Sequence, residues 1–419
     1  MDISLYVTAA AVMGCGVLIL VSGELSRRLG LSRTGRMMMA GMLGFGVIGL
    51  SIKAVVLLLL QPPASLAAMV EAGQVITPQA QRSTSEGLPL GLTYAGRGKA
   101  WRALPVTDIP PQDETQVELG RRLFFDTRLS SSGQVACASC HVIAKGGDDD
   151  SATSTGIRNL KGERNAPTVL NAAFLKRLFW DGRAASLEEQ AVGPLTNPVE
   201  MDLPSLDRAV AIVAADESYR QAFGGTVTID KIASAIASFE RTLITPGSPY
   251  DRFVEGDNEA LNQSQIRGLM LFDEIGCRGC HPDPWFTVAA QPHASPYRVF
   301  PVYRDSPSVA RYDLTKDKGL NGSGVWRVPS LRNIDRTAPY FHNGSVEDLE
   351  EAVRVMVATQ LGREVQSGPA MRPQIVRDEH GRPSVTGRRA LTDRDMGDLT
   401  AFLRALTGVT PAVVVPGTS

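Results

Sequence analysis

The chain has 419 residues, of which 43% are hydrophobic and 21% charged, and its formal net charge at pH 7 is −1. This length is enough for two domains, or for one large domain, with a sizeable core. The near-neutral charge argues against a nucleic-acid-binding protein, since such proteins usually carry a strongly basic surface.

Two apolar runs near the N-terminus predict a membrane anchor. Ile3 to Gly23 contains no charged residue, and Met37 to Gln61 contains only Lys53. Each run reaches the roughly 20 residues that a helix needs to cross a bilayer. The first run follows Asp2 rather than a basic residue, which argues against a cleaved signal peptide. A weaker alternative is a lipoprotein cleavage site at Val12 to Cys15.

The segment between the two runs is basic, with four arginines against a single acidic residue, Glu24. The arginines are Arg27, Arg28, Arg33 and Arg36. Because loops rich in Lys and Arg stay in the cytoplasm, we expect both ends of this helical hairpin to face the periplasm. Residues 62–115, rich in Pro, Gly, Ser and Ala, predict a linker that also wraps the first folded domain.

Two copies of the motif Cys-x-x-Cys-His follow, at 137–141 and 277–281. In this motif both thiols can form thioether bonds to haem, and the histidine becomes an axial iron ligand. Paired CxxC zinc half-sites are the alternative, but a four-cysteine zinc ribbon separates its pairs by only roughly 15–20 residues. We therefore expect two c-type haems, which are attached outside the cytoplasm, in agreement with the hairpin. The predicted attachment residues are Cys137 and Cys140, then Cys277 and Cys280, and the predicted axial ligands are His141 and His281.

A weak internal repeat precedes the two motifs: Gly120 to Phe124 resembles Gly268 to Phe272, which suggests a duplicated cytochrome-c unit. Ser186 and Glu189 form a predicted capping box, apolar residues at helical spacing follow Asp230 and Thr392, and Gly408 is the expected end of the last helix. Alternating strand patterns are scarce. The sequence therefore predicts a mainly α fold of two cytochrome-c-like domains behind a transmembrane helical hairpin.

The chain resembles the bacterial dihaem cytochrome c peroxidase family, which also contains the MauG enzymes. The resemblance covers roughly Gln116 to Gly408, with several separate motifs in family order. The motifs are Leu119 to Asp126, the two haem motifs, Arg164 to Thr168, Phe179 to Arg183, Asn197 to Met201, Arg327 to Asn333 and Pro339 to Gly344.

The resemblance implies that the haem ligated by His141 is the site of peroxide reduction. Glu200 matches the family's general acid–base, and Gln190 matches a hydrogen-bond donor that orients the peroxide. Ile157 occupies the place of a histidine that blocks the iron in relatives needing reductive activation, and no histidine lies between His141 and His281. We therefore expect an open first haem that is active without prior reduction.

The resemblance also implies that the haem ligated by His281 accepts electrons from an external donor. Met356 lies fourteen residues after His342, at the spacing of the family's second axial ligand. Met favours peroxidase over MauG chemistry, since MauG enzymes resemble one another in having Tyr there. Trp180 is expected to carry electrons between the haems. Asn165, Thr337 and Pro339 match a calcium site of relatives, and their oxygen atoms suit a hard cation.

The predicted organisation is an anchor at 1–61, a linker at 62–115, a peroxidatic haem domain at 116–245, an electron-transfer haem domain at 246–411 and a tail at 412–419. Residues 365–389 look like a loop insertion. We expect an enzyme that is anchored in the inner membrane with its haem domains in the periplasm. It would reduce hydrogen peroxide with electrons from a small c-type cytochrome, a cupredoxin or a quinol. The resemblance to dimeric relatives also suggests a homodimer. Two alternatives stay open: MauG-like oxidation of a partner protein, and a membrane-anchored dihaem electron carrier.

Overall fold

The computed structural model describes residues 101–363, 365–366, 374–377, 383–386 and 391–416. The predicted helical hairpin and most of the predicted linker lie outside these ranges. Within them, no helix combines the length and the apolar character that a bilayer crossing requires. The described part is mainly helical, as the sequence predicts, with short two-stranded ladders between its helices.

The α-helices are short, and several are separated by long loops that contain single turns of 3₁₀ helix. In chain order they are α1 (Glu114–Phe124), α2 (Cys137–Cys140), α3 (Leu187–Thr196), α4 (Leu206–Ala215), α5 (Glu217–Ala222), α6 (Ile229–Glu240), α7 (Pro249–Glu255), α8 (Gln263–Glu274), α9 (Pro307–Arg311), α10 (Leu349–Leu361) and α11 (Asp393–Arg404).

The strands pair locally. Antiparallel pairs join β1 to β2 and β4 to β5, whereas β3 and β6 pair in parallel. Their bounds are β1 (Tyr297–Val299), β2 (Val325–Arg327), β3 (Val365–Gln366), β4 (Gln374–Arg377), β5 (Pro383–Thr386) and β6 (Leu391–Thr392). The β4–β5 hairpin thus lies within the segment predicted as a loop insertion.

Two of the predicted helix starts are confirmed by side-chain caps. The Ser186 hydroxyl accepts the backbone N–H of Glu189 before α3, and Thr392 accepts that of Asp395 before α11, each satisfying a free helical donor. The start of α6 differs, because Thr228 rather than Asp230 is its cap.

The end of α11 also differs from the expectation, since the helix stops at Arg404, four residues before Gly408. A side chain at Gly408 would collide with the carbonyl of Thr245. Close packing of two loops, rather than helix termination, therefore explains this glycine.

The helices that precede the two haem motifs pack in the same way. In the first half α1 crosses α6, and in the second half α8 crosses α11. Gly120 abuts the Ala235 carbonyl, and Gly268 abuts the Asp398 carbonyl, so a Cβ at either position would clash with backbone. The sequence repeat therefore encodes a close helix crossing, which only glycine permits.

The aromatic contacts of the two crossings match as well. The rings of Phe124 and Phe239 lie 5.3 Å apart at 62°, and those of Phe272 and Phe402 also lie 5.3 Å apart at 62°. Edge-to-face contact of this kind adds to the stability gained by burying the rings. Each half of the described chain thus contains the same kind of helix crossing next to its haem motif.

The first described residues of the predicted linker are hydrogen-bonded to the second half, whereas Val106 and Ile109 further along line a surface cleft together with Val117 and Arg241 of the first half. The Arg102 N–H donates to Asp283 Oδ2 at 2.7 Å, and the Leu104 N–H donates to Asp251 Oδ1 at 3.0 Å. Asp251 is itself held by a buried ion pair with Arg332 at 2.8 Å. The backbone at Leu104 is therefore held by a carboxylate, Asp251, whose position is fixed by its ion pair with Arg332.

Candidate active site

The first haem motif opens onto a cavity of about 680 Å³, which we call the first cavity. Cys137, Cys140 and His141 form one part of its wall, and Gln190 and Glu200 form another. The structure therefore brings together all the residues that the sequence assigns to the peroxide site. They come from α2 and the residue that follows it, from α3, and from the loop that follows α3.

His141 is oriented for ligation. Its Nδ1 lies 3.1 Å from the Gly147 carbonyl oxygen, which can only accept a hydrogen bond, so Nδ1 carries the proton and Nε2 stays free for a metal. Burial lowers the pKa of His141, which keeps the ring neutral. Together with the two cysteines on a single helical turn, this geometry fits a covalently attached haem c.

Glu200 is held in place by a neighbouring amide. Asn197 Nδ2 donates to Glu200 Oε1 at 2.7 Å. Burial raises the pKa of this carboxyl, and the nearby Arg183 acts in the opposite direction. A carboxyl with a raised pKa is better suited to give and take a proton near neutral pH.

Ile157 is buried, with 1% of its surface exposed, and is not part of the cavity wall. Its backbone N–H donates to the Glu200 carbonyl at 3.1 Å. Among the described residues lining the first cavity, His141 is the only histidine. His293 is exposed on a loop and His342 lines a different cavity, while His380 lies outside the described residues.

Glu240, at the end of α6, is a cavity residue that the sequence analysis missed. It lines the first cavity, is 4% exposed, and its Oε2 has no hydrogen-bond partner among the described residues. Burial raises its pKa to about 8. In the sequence, the one feature that could have indicated a buried carboxyl here is that Glu240 follows the apolar helix face formed by Ile232, Ile236 and Phe239.

The second haem motif opens onto another cavity, the second cavity, whose wall includes Cys277, Cys280, His281 and Met356. His281 Nδ1 lies 3.1 Å from the Phe286 carbonyl oxygen, which again leaves Nε2 free for a metal. Burial lowers the pKa of His281 to about 4. The shared wall of a histidine and a methionine fits a haem with these two side chains as ligands.

The rest of the second cavity is mostly apolar and aromatic. Val353 and Leu403 line it, as does Trp326, whose ring stacks on His342 at 4.1 Å between centroids. His342 is 2% exposed, and its Nε2 has no partner among the described residues.

Trp180 lines both cavities. Its Nε1 donates to the Asn165 carbonyl at 2.9 Å, and its own carbonyl accepts the Arg327 N–H at 3.0 Å. The indole is therefore fixed between the two haem motifs. Arg327 also lines both cavities, although the sequence analysis gave it no individual role.

The predicted calcium residues Asn165, Thr337 and Pro339 share the wall of the second cavity. Asn165 Nδ2 donates to the Ser151 carbonyl at 2.9 Å, which leaves its Oδ1 available as an oxygen ligand. No group of three or more His, Cys, Asp or Glu side chains arranged for a metal occurs in the described ranges. An amide and backbone carbonyls still suit calcium, so the arrangement is compatible with the prediction.

Known proteins resemble this chain along most of its length. A family model described as di-haem cytochrome c peroxidase matches residues 114–259. The cytochrome c551 peroxidase of Nitrosomonas europaea is 39% identical over 337 residues, which cover 78% of this chain and 92% of that protein. The cytochrome c551 peroxidase of Pseudomonas aeruginosa is 38% identical, with 73% of this chain and 82% of that protein covered.

A solved structure gives the same picture. The crystal structure of a MauG-like protein associated with microbial copper homeostasis superposes with a TM-score of 0.55 at 29% identity. The match covers 78% of this chain and 96% of that one. Peroxidases and a MauG-like protein are thus both among the similar proteins.

Proposed function

Because this chain belongs to the dihaem cytochrome c peroxidase family and is an oxidoreductase of the peroxidase type, we propose that it reduces hydrogen peroxide to water at the first cavity. The reaction consumes two electrons and two protons for each peroxide. An external donor supplies the electrons at the second cavity. Cys137 and Cys140 would hold one haem c, and Cys277 and Cys280 would hold the other.

Haem c bound at the two motifs would supply the redox chemistry, namely peroxide reduction at the first cavity and electron acceptance at the second. Glu200 takes a proton from one peroxide oxygen and gives it to the other, so that water can leave. The Asn197 amide fixes the carboxyl for this transfer. Such positioned acid–base groups typically contribute about 10²–10⁴-fold to a rate.

Gln190 and Trp180 complete the proposed assignment. Gln190 lines the first cavity and orients the peroxide through its side-chain amide. Trp180 lines both cavities and is fixed by hydrogen bonds at its indole and its carbonyl. It relays electrons from the second cavity to the first.

One observation carries the proposal: the first cavity combines Glu200 and Gln190 with a single histidine, His141, among its described lining residues. A carrier gains nothing from an acid–base carboxyl such as Glu200 beside an open coordination position. A peroxidase that needs no reductive activation requires both.

Electron paramagnetic resonance of the fully oxidised holoprotein tests this, with peroxide added before any reductant. We expect a high-spin ferric signal that disappears on addition of peroxide. Two low-spin signals and no reaction with peroxide would show that another ligand blocks the first iron. Reductive activation or a carrier role would then replace the proposal.

A MauG-like oxidation of a partner protein is the second candidate, favoured by the similarity to the MauG-like structure and by the open first cavity. Met356 on the wall of the second cavity argues against it, because the resemblance associates Tyr at that position with MauG chemistry. Turnover of peroxide with a small reductant, and no modification of a protein substrate, would favour the peroxidase.

We further propose that the donor is a small c-type cytochrome, a cupredoxin or a quinol, and that the N-terminal apolar runs tether the enzyme to the periplasmic face of the inner membrane. The basic segment between these runs supports this orientation. Peroxide turnover by the detergent-solubilised full chain with cytochrome c but not with a quinol analogue would exclude the quinol. A bound calcium and a homodimer are part of the same proposal, and metal analysis and sedimentation test them.

A further inference from the structure

Arg327, at the end of β2, is a buried cation between the two haem motifs. Only 3% of its surface is exposed. Its backbone N–H donates to the Trp180 carbonyl at 3.0 Å, and its Nε donates to the Phe179 carbonyl at 2.8 Å. The side chain is therefore tied to the loop that carries Trp180.

The guanidinium has no carboxylate partner within salt-bridge distance among the described residues. Nη1 makes only a long contact of 3.5 Å with the Val328 carbonyl, and Nη2 donates to none of the described groups. The nearby Asp181 is paired with Arg164 at 2.7 Å and with Arg183 at 2.9 Å. A buried charge without a counter-ion is costly, so the arrangement calls for an anion that is not part of the polypeptide.

The position of Arg327 identifies that anion by its chemistry. Arg327 lines both the first and the second cavity, and each of them contains a haem attachment motif. A haem brings two propionate carboxylates, and the planar guanidinium binds carboxylates through paired hydrogen bonds. Burial also lowers the pKa of Arg327 to about 10, which still leaves it charged at neutral pH.

We propose that Arg327 is a shared counter-ion that binds propionate carboxylates of both haems and so sets their reduction potentials together. The inference rests on the two haem sites and not on the peroxidase reaction. A positive charge beside a haem disfavours the ferric form, which carries one more positive charge than the ferrous form. Loss of Arg327 must therefore lower both potentials.

The test is a spectroelectrochemical titration of the holoprotein carrying Arg327→Gln. We expect the reduced-to-oxidised ratio at fixed potential to fall about tenfold at each haem, which for one electron is about 59 mV. Arg327→Lys keeps the charge and should retain most of both potentials. Arg327→Met, which keeps an apolar stem, replaces the Gln variant if that variant does not fold.

Two matched arginines serve as controls. Arg183 lines only the first of the two cavities, and Arg298 lines only the second. Arg183→Gln should affect at most the first haem, and Arg298→Gln at most the second. A shift at only one haem in Arg327→Gln, or equal shifts in the Lys and Gln variants, would overturn the proposal.

The outcome is independent of peroxide turnover, because the potentials are measured without peroxide. A carrier with both haems six-coordinate would still show the paired shift. Conversely, an active peroxidase whose potentials do not respond to Arg327→Gln would contradict only the shared counter-ion.

Discussion

The two halves of the described chain have the same helix crossing but different cavity walls. In each half a glycine allows close approach of two helices, and a pair of phenylalanine rings packs at the same distance and angle. The first cavity adds Gln190, Glu200 and Glu240, whereas the second adds Met356 and Leu403. A common framework thus holds both haem motifs, and a few wall residues decide what chemistry each can perform.

The two helix crossings correspond position by position. Gly120 meets Phe239 and Gly268 meets Phe402, so the residues that follow these two phenylalanines, Glu240 and Leu403, are structural equivalents. One half places a carboxyl where the other places an aliphatic side chain. Carboxyl groups are therefore concentrated at the cavity proposed for proton transfer, whereas the wall of the cavity proposed for electron entry is mostly apolar.

The largest expected effect comes from removing the acid–base group of the first cavity. Glu200→Gln keeps an oxygen that can accept the Asn197 hydrogen bond but can no longer exchange a proton. We expect the second-order rate of reaction with peroxide, measured by stopped-flow absorbance, to fall about 10²–10⁴-fold. Glu259→Gln, on an exposed surface, is the control, and an equal fall in both variants would contradict the assignment.

Disturbing the helix crossing should have the next largest effect. We expect it to lower the free energy of unfolding by the same amount in each half. Gly120→Ala and Gly268→Ala each force a Cβ onto a backbone carbonyl, and overpacking of this kind typically costs about 1–3 kcal/mol. The free energy of unfolding in guanidinium chloride measures the cost.

Gly397→Ala is the matched control, because Gly397 lies in α11 with open space around it. There alanine should stabilise the helix by about 0.4–1 kcal/mol. If only one of the two crossing glycines were sensitive, the halves would not be equivalent supports.

A smaller effect is expected from the proposed methionine ligand of the second cavity. Met356→Leu keeps the volume but removes the sulfur, and Met/His ligation raises reduction potential. We expect the ratio of reduced to oxidised second haem at a fixed potential to fall at least about tenfold, which corresponds to about 1.4 kcal/mol. Met270→Leu in α8, away from the cavity wall, should leave both potentials unchanged, and no shift in Met356→Leu would exclude the ligand.

The sequence was sufficient for features that depend on spacing along the chain. The two haem motifs, the repeat before them and the caps at Ser186 and Thr392 all depend on neighbouring residues, and the family that they indicate is confirmed. Glu240 and Arg327 depend on packing between distant segments. Nothing local distinguishes a buried glutamate or arginine from an exposed one, so their place on the cavity walls appears only in the fold.

The hydrogen bonds that join the start of the described linker to the second half could not be predicted for a related reason. The composition of the linker is that of a loop, but Leu104 and Arg102 are fixed by Asp251 and Asp283, about 150 and 180 residues further along the chain. Long-range hydrogen bonds of this kind have no signature in local composition.

The smallest expected effect sharpens the comparison of Glu240 with Leu403. Burial raises the pKa of Glu240 from 4.5 to about 8, with Arg241 opposing the shift and Glu188 adding to it. The folded state holds this proton more tightly than the unfolded state. Below about pH 4.5 the carboxyl is protonated in both states, so its ionisation takes nothing from the free energy of unfolding. The cost grows as the pH rises and is complete above about pH 8. The stability of the holoprotein should therefore decline with rising pH in this window more steeply than that of Glu240→Gln.

Because relaxation of the protein and entry of water lower the cost of ionising a buried group, we expect the two proteins to diverge by at least about 1 kcal/mol across the window. Thermal unfolding at a series of pH values measures this divergence, and Glu240→Leu, which copies the second half, should follow the Gln variant. Parallel curves for all three proteins would mean that Glu240 has the same pKa in the folded and unfolded states and is therefore ionised in the fold at neutral pH. The carboxyl would then need a cationic partner at the first haem, and the polarity of this cavity would come from a fixed charge rather than from a neutral acid.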